Sequence, residues 1–204
     1  MEPLSLLADA VIFLDCDGVL NSSRCVKLDF NEDEENNTDS SLIFHKRLFP
    51  DSSEALLVPL EKQLLLNLAN IITQVPCVKI VLSTTWREDV EMRHFLLAAM
   101  SVSGIDVESV VIGDTPSLSP IEGRGGEIRK WLDDHPNYQK SFVILDDQHE
   151  ASFAKNKFLP NFVKTILGGQ GDQGGVKGKG SQEGLTTEVA TKVVALLKQQ
   201  LGIS

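Results

Sequence analysis

Val11-Ile12-Phe13-Leu14-Asp15-Cys16-Asp17-Gly18-Val19-Leu20-Asn21-Ser22-Ser23 holds the key to this chain. A short apolar run opening at Ala10 stops abruptly at two carboxylates one residue apart, followed by a glycine. Ala10–Leu14 is apolar at every position, as expected of a strand buried on both faces of a parallel sheet. Residues two apart on an ending strand point the same way, so Asp15 and Asp17 can address one centre while Cys16 faces elsewhere. Gly18 lets the chain turn sharply away and keeps bulk off that centre.

Similar runs recur along the chain. Val78–Leu82, Val107–Ile112 and Phe142–Leu145 read as further strands, with Phe162–Leu167 a weaker fifth. Between them lie segments of helical period. Leu56–Ile72 carries Leu57, Leu60, Leu64, Leu68 and Ile71 at steps of three and four, and Glu88–Met100, Gly126–Asp133 and Thr186–Leu201 behave alike. Strands alternating with helices predict an α/β fold with a mostly parallel five-stranded sheet flanked by helices. Ligands of such sheets sit beyond the carboxyl ends of the strands.

The 204 residues predict a single domain over 1–204 with two departures from this rhythm. An excursion over about 22–55 suggests a hairpin, Cys25–Phe30 against Ser41–Phe49, with an acidic, Asn-rich tip at 31–39. The stretch 168–184 holds eight of the fifteen glycines and reads as a loop before the last helix. No segment is long and periodic enough for a large cap domain.

The net charge of −10 argues against bulk attraction to nucleic acid or anionic membrane. Six acids and no Lys or Arg lie between Asp29 and Asp39, which leaves −4 for the rest of the chain. Cys16, Cys25 and Cys77 form no C-x-x-C pair and suggest a reducing compartment. With no signal peptide and no membrane span, the expected location is cytoplasmic.

Chemistry gathers after the strands: Asp15-Cys16-Asp17-Gly18 after the first, Ser83-Thr84-Thr85-Trp86-Arg87 after the second, Asp146-Asp147 after the fourth. Converging carboxylates repel unless a cation sits among them. Oxygen ligands without His or Cys partners point to Mg2+, which takes one or two carboxylates plus substrate phosphate. One carboxylate of D-x-D can attack phosphorus while the other moves protons, giving covalent catalysis through an aspartyl-phosphate.

These residues resemble a known set. VIFLDCDGVLNSS is similar to the first motif of the haloacid dehalogenase (HAD) phosphatase superfamily, KIVLSTTWR to its second and FVILDD to its fourth. Arg124–Leu132 and Gly184–Thr186 add a likeness to the small HAD domain of Swiss-army-knife RNA repair proteins. The resemblance implies a Rossmann-like HAD core and a hydrolase of phosphoric monoesters. It makes Asp15 the nucleophile and Asp17 the general acid and base. Asp15, the Asp17 backbone carbonyl, Asp146 and Asp147 would hold Mg2+, with either Asp146 or Asp147 reaching the ion directly. Ser83 would bind a phosphoryl oxygen, with Thr84 the fallback. The family's third-motif Lys is replaced here by Arg124, with Lys130 the second choice, and Arg87 is a candidate substrate-phosphate contact at a helix start.

The implied partner is a phosphorylated substrate, with a nucleic-acid end one candidate. The rivals are a nucleotidase or other small-molecule phosphatase, and a non-catalytic binding module that kept the fold. A receiver domain would place its acidic pair early, whereas here it comes late. Gly169–Gly174 matches G-x-G-x-x-G literally, yet no helix starts on it, and Gly178-Lys179-Gly180 does not complete a Walker A loop. No nucleotide cofactor is expected. Lys177 and Lys179 offer a basic edge, Trp86 reads as a packing residue, and His149 as a surface-loop residue. The oligomeric state is left open.

Overall fold

A computed structural model describes residues 9–22, 41–48, 55–166 and 183–203. Five parallel strands form one sheet: β1 (Ala10–Leu14), β4 (Val78–Leu82), β5 (Val111–Asp114), β6 (Phe142–Asp146) and β7 (Phe162–Lys164), in the order β5-β4-β1-β6-β7. Strand β1 is central, with Ile12 opposite Ile80 on one side and Val143 on the other. All five of its residues are fully buried, as its unbroken apolar run requires.

Pleating sorts those residues between two cores. Ala10, Ile12 and Leu14 face one layer, made by α1 (Lys62–Gln74), α2 (Val90–Val102) and α6 (Thr187–Leu201) through residues such as Leu68, Leu96 and Val193. Val11 and Phe13 face the other, where Ile128, Trp131 and Leu132 of α4 (Gly123–Asp134) pack with Phe153 of α5 (Glu150–Lys155). Trp131 and Phe142 meet the Phe13 ring edge-on, with centroids 5.3 and 5.9 Å away.

Local chemistry sets the helix ends. Asp89 caps α2 by accepting from the N–H groups of Glu91 and Met92, and Thr186 caps α6 through Val189 N–H. Helix α4 ends before Pro136, whose ring disfavours helical geometry at His135.

Two sequence expectations are corrected. Residues 56–61 are not helical: β2 (Leu42–Leu48) pairs antiparallel with β3 (Ala55–Glu61) in a separate two-stranded ribbon, with Phe44 opposite Pro59, and α1 starts only at Lys62. Leu57 and Leu60 continue the helical step of Leu64 and Leu68 by coincidence, and cross-strand pairing decides the outcome. The hairpin partner of Ser41–Phe49 was expected upstream; Cys25–Phe30 and the tip at 31–39 lie outside the described residues. Secondly, Val107–Ile112 divides into a helical turn, α3 (Val107–Val110), followed by β5. Val107 and Val110, three apart, share one face of that turn and pack on the α1/α2 core.

The chain leaves β1 for β4 and β5, then returns to the opposite side of β1 for β6 and β7. That reversal makes the carboxyl end of β1 the topological switch point, where a crevice opens in sheets of this kind. Among the described residues the ribbon is the excursion between β1 and α1, and there is no large cap. No described helix is long and apolar enough to cross a membrane.

Candidate active site

The ends of β1, β4 and β6 bring three motifs together. Asp15 still belongs to the sheet ladder, donating its N–H to Leu145 O, while the Ser83 N–H donates to Leu14 O. Hydrogen bonding in the sheet therefore fixes the three motifs against one another before any side chain is considered.

One carboxylate oxygen from each of Asp15, Asp146 and Asp147 lies within 4.8 Å of the others. Burial, with the neighbouring Asp146 carboxylate adding to it, pushes Asp15 up to about 7, against the Arg124 guanidinium and the Cys16 N–H that donates to its Oδ1 at 2.8 Å. Burial likewise pushes Asp146 up to about 6, with Asp147 adding to it and the Gln148 N–H and Arg124 opposing. Asp147, half-buried, is raised by burial first and by Asp17 to a lesser degree. Left alone, these carboxyls retain protons at pH values where free Asp has lost them; a dication among them would reverse that preference.

Two further observations suit an ionic ligand here. Asp146 Oδ2 and Ser83 Oγ are buried without a hydrogen-bond partner among the described residues. Such atoms are costly to leave unpaired and are expected to meet an ion or ligand. An all-oxygen donor set of this kind suits a hard divalent cation.

Asp17 stands apart from this trio. Its side chain is exposed; Oδ1 accepts from Asn21 Nδ2 at 2.9 Å, and Oδ2 from Trp86 Nε1 at 3.0 Å. Its carboxylate is thus held outside the metal-type cluster. Between them, Gly18 has φ of +71°, and a Cβ built there would lie 2.5 Å from Asp147 Cγ. The glycine is therefore required twice, by its backbone and by the approach of Asp147.

Of the phosphate-binding candidates, Ser83 has the hydroxyl with no hydrogen-bond partner among the described residues. Thr84 is fully buried and its Oγ1 accepts from Trp86 N–H, capping the 3-10 turn Thr85–Glu88. Arg124, in the first turn of α4, is 7% exposed. Its Nη1 lies 3.5 Å from Glu127 Oε2 and makes no hydrogen bond among the described residues. That its charge acts on both Asp15 and Asp146 places it beside the acidic trio. Helix α4 can lie this close to α5 because residue 125 is glycine: a Cβ there would meet Ser152 O at 2.5 Å.

Arg87 and Lys130 are placed differently. The Arg87 side chain is 4% exposed and donates to Thr84 O at 2.6 Å, Thr115 O at 3.0 Å and Glu127 Oε2 at 3.1 Å, so its guanidinium is engaged inside the protein. Lys130 is an exposed partner of Asp134. His149 is exposed, with left-handed backbone at φ of 55°, near enough to Asp147 for its charge to act there. Lys177, Lys179 and nearly all of the Gly-rich loop lie outside the described residues.

Three residues of this neighbourhood were missed in sequence as site components: Asn21, the Trp86 indole N–H, and Glu127, which faces both Arg87 and Arg124. The signal for Asn21 and Glu127 was their presence in D-x-D-G-V-L-N and R-G-x-E. Gly184–Thr186 also has a structural role. Leu185 N–H donates to Val19 O at 2.8 Å, and Asn67 Nδ2 donates to Leu185 O at 2.8 Å, tying the late segment to the turn that follows Asp17.

The fold and this arrangement define an α/β protein with an acidic cluster at the carboxyl edge of a parallel sheet. Residues 11–167 match the family described as the HAD domain in Swiss Army Knife RNA repair proteins, and the chain belongs to that family. No curated protein and no solved structure matches it.

Proposed function

We propose that the protein is a Mg2+-dependent phosphatase that transfers the phosphoryl group of a monoester to Asp15, with nucleic-acid ends as the favoured substrates. The observation that carries this reading is the trio of Asp15, Asp146 and Asp147 together with two buried groups that have no hydrogen-bond partner among the described residues, Ser83 Oγ and Arg124 Nη1. Mg2+, when bound, would neutralise charge on the carboxylates and the phosphoryl oxygens, held by Asp15, the Asp17 carbonyl, and Asp146 or Asp147.

In the first step the Asp15 carboxylate attacks phosphorus and a new P–O bond forms. The bond to the leaving oxygen breaks, and Asp17 gives that oxygen its proton. In the second, Asp17 takes a proton from water, whose oxygen attacks phosphorus. The bond to Asp15 breaks, releasing inorganic phosphate and restoring both carboxyls. Throughout, Ser83 Oγ–H and Arg124 donate to the equatorial oxygens, where charge accumulates.

The absence of a large cap among the described residues favours a bulky substrate, and the family's RNA repair context points to a nucleic-acid end. A second reading, a nucleotidase or other small-molecule phosphatase, draws support from an open groove of about 370 Å³ lined by Thr85, Trp86, Glu88, Asp89 and Met92. Its two carboxylates suit a hydroxyl-rich or amine-bearing leaving group better than a polyanion. Phosphate release from a 3′-phosphorylated oligonucleotide, a mononucleotide, a phosphopeptide and nitrophenyl phosphate separates the readings. The oligonucleotide should be turned over best, and Asp15→Asn should abolish turnover of all four. Preference for the mononucleotide favours the second reading. A wild-type protein inert with every substrate and divalent metal would be a binding module, and both enzymatic readings would fall.

A further inference from the structure

We infer that Trp86 and Asn21 are positioning residues for Asp17, each holding one oxygen of its carboxylate in the orientation that proton transfer needs; the inference rests on the acid and base role proposed for Asp17. An exposed carboxylate on a turn ordinarily rotates among several orientations, and fixing it costs entropy. Here Nε1 of Trp86 donates to Oδ2 at 3.0 Å and Nδ2 of Asn21 donates to Oδ1 at 2.9 Å.

Both donors are themselves immobilised. Trp86 is 7% exposed, its backbone N–H donates to Thr84 Oγ1, and its ring stacks on Phe95 with centroids 6.2 Å apart. Asn21 is 8% exposed, and its Oδ1 accepts from Gly18 N–H at 2.9 Å. One donor comes from the turn after β1 and the other from the turn after β4, so the carboxylate is held by two separate parts of the frame. Each carboxylate oxygen keeps a further lone pair, whose direction the two hydrogen bonds fix. The clamp thus leaves Asp17 able to carry a proton while setting where that proton points.

A buried indole N–H needs an acceptor in any case, so Asp17 could equally be serving Trp86. Leaving-group dependence separates the two roles. A nitrophenyl ester departs as a stable anion and needs little help from an acid, whereas an alkyl phosphate must be protonated as it leaves. kcat/KM, which reports the first chemical step, is measured for both esters with the full chain and Mg2+.

Trp86→Phe keeps the stacking and loses the donor. It should stay within about twofold of wild type on the aryl ester and fall by about tenfold or more on the alkyl ester, part of the usual contribution of a placed general acid. Asn21→Asp keeps an acceptor for Gly18 N–H and loses the donor to Asp17, so it should show the same selectivity and serves if Trp86→Phe does not fold. Asp17→Asn sets the scale, with the same selectivity at larger size. Equal losses on both esters in Trp86→Phe and Asn21→Asp, beside a selective loss in Asp17→Asn, would overturn the inference alone. A uniform loss in Asp17→Asn itself would overturn the role assigned to Asp17, and the clamp with it.

Discussion

Arg87, in the turn after β4, and Arg124, at the start of α4, have side chains buried to nearly the same extent and share Glu127 as a neighbour. They differ in what else surrounds them. Arg87 donates to the carbonyls of Thr84 and Thr115 and to Glu127, so its hydrogen-bonding fork closes on the protein's own backbone. Arg124 has Glu127 at 3.5 Å and an Nη1 with no hydrogen bond among the described residues. A buried cation is costly unless well paired, so the first is a fastener between motifs, while the second, under the proposed function, supplies its charge to the substrate's phosphoryl group. Sequence alone suggests both as phosphate contacts; side-chain burial is similar, and the inventory of acceptors separates them.

The largest expected effect breaks that comparison at Arg124. Arg124→Met should lower kcat/KM by about a hundredfold or more, the usual loss for one transition-state donor, while the urea midpoint stays level or rises, because an under-paired buried charge has been removed. A large fall in the midpoint would make Arg124 a second fastener. Arg87→Met should do the reverse, costing about 3 kcal/mol in urea denaturation because Glu127 and two carbonyls lose their partner, with folded enzyme keeping most of its activity. If activity is lost with stability unchanged, Arg87 contacts substrate after all.

Gly18→Ala should cost about 2 kcal/mol through strained backbone and the clash with Asp147, measured by the same denaturation, and should weaken Mg2+ binding measured by calorimetry. The pH dependence is subtler. Asp15 and Asp146 have carboxyls raised above their unfolded value of 3.8. Their contribution to stability is therefore complete below about pH 4 and is lost as pH rises through about 6 and 7. In metal-free protein the thermal midpoint of Asp15→Asn, relative to wild type, should rise from pH 5 towards about pH 8. Mg2+ should raise the wild-type midpoint more at the upper pH than at the lower. A flat difference would mean that Asp15 is ionised without metal. Lys130→Ala should change stability by no more than about 0.5 kcal/mol, as for exposed ion pairs generally, and leave kcat/KM unchanged. A marked loss of activity would reopen Lys130 as the third-motif cation.

Strand composition made the sheet legible. Ala10–Leu14 and Val78–Leu82 are strands at the bounds their runs suggest, because burial on both faces selects apolar residues, with the half-buried Lys79 the one exception. Leu56–Glu61 was misread because leucines spaced three and four apart fit a helix, while the pairing that makes it a strand lies on β2. The carboxylates of the site were visible because each stands at a strand end. Asn21, Glu127 and the Trp86 indole were not, since their roles rest on contacts across the fold: Trp86 and Asp17 meet 69 residues apart. Residue type and spacing locate the acids; they do not reveal which donors hold them.

The hydrogen bond between Leu185 N–H and Val19 O has a consequence for the chain during its synthesis. The turn carrying Asp17 is translated early, but the residue that ties it down arrives 166 positions later. At about 5–20 residues per second, a ribosome leaves that turn without this anchor for roughly ten to thirty seconds. A nascent chain stopped short of Gly184 would carry every acid of the site and still lack the tether on the turn that holds Asp17, so the proposed hydrolysis of phosphomonoesters would come only once the last segment has been made.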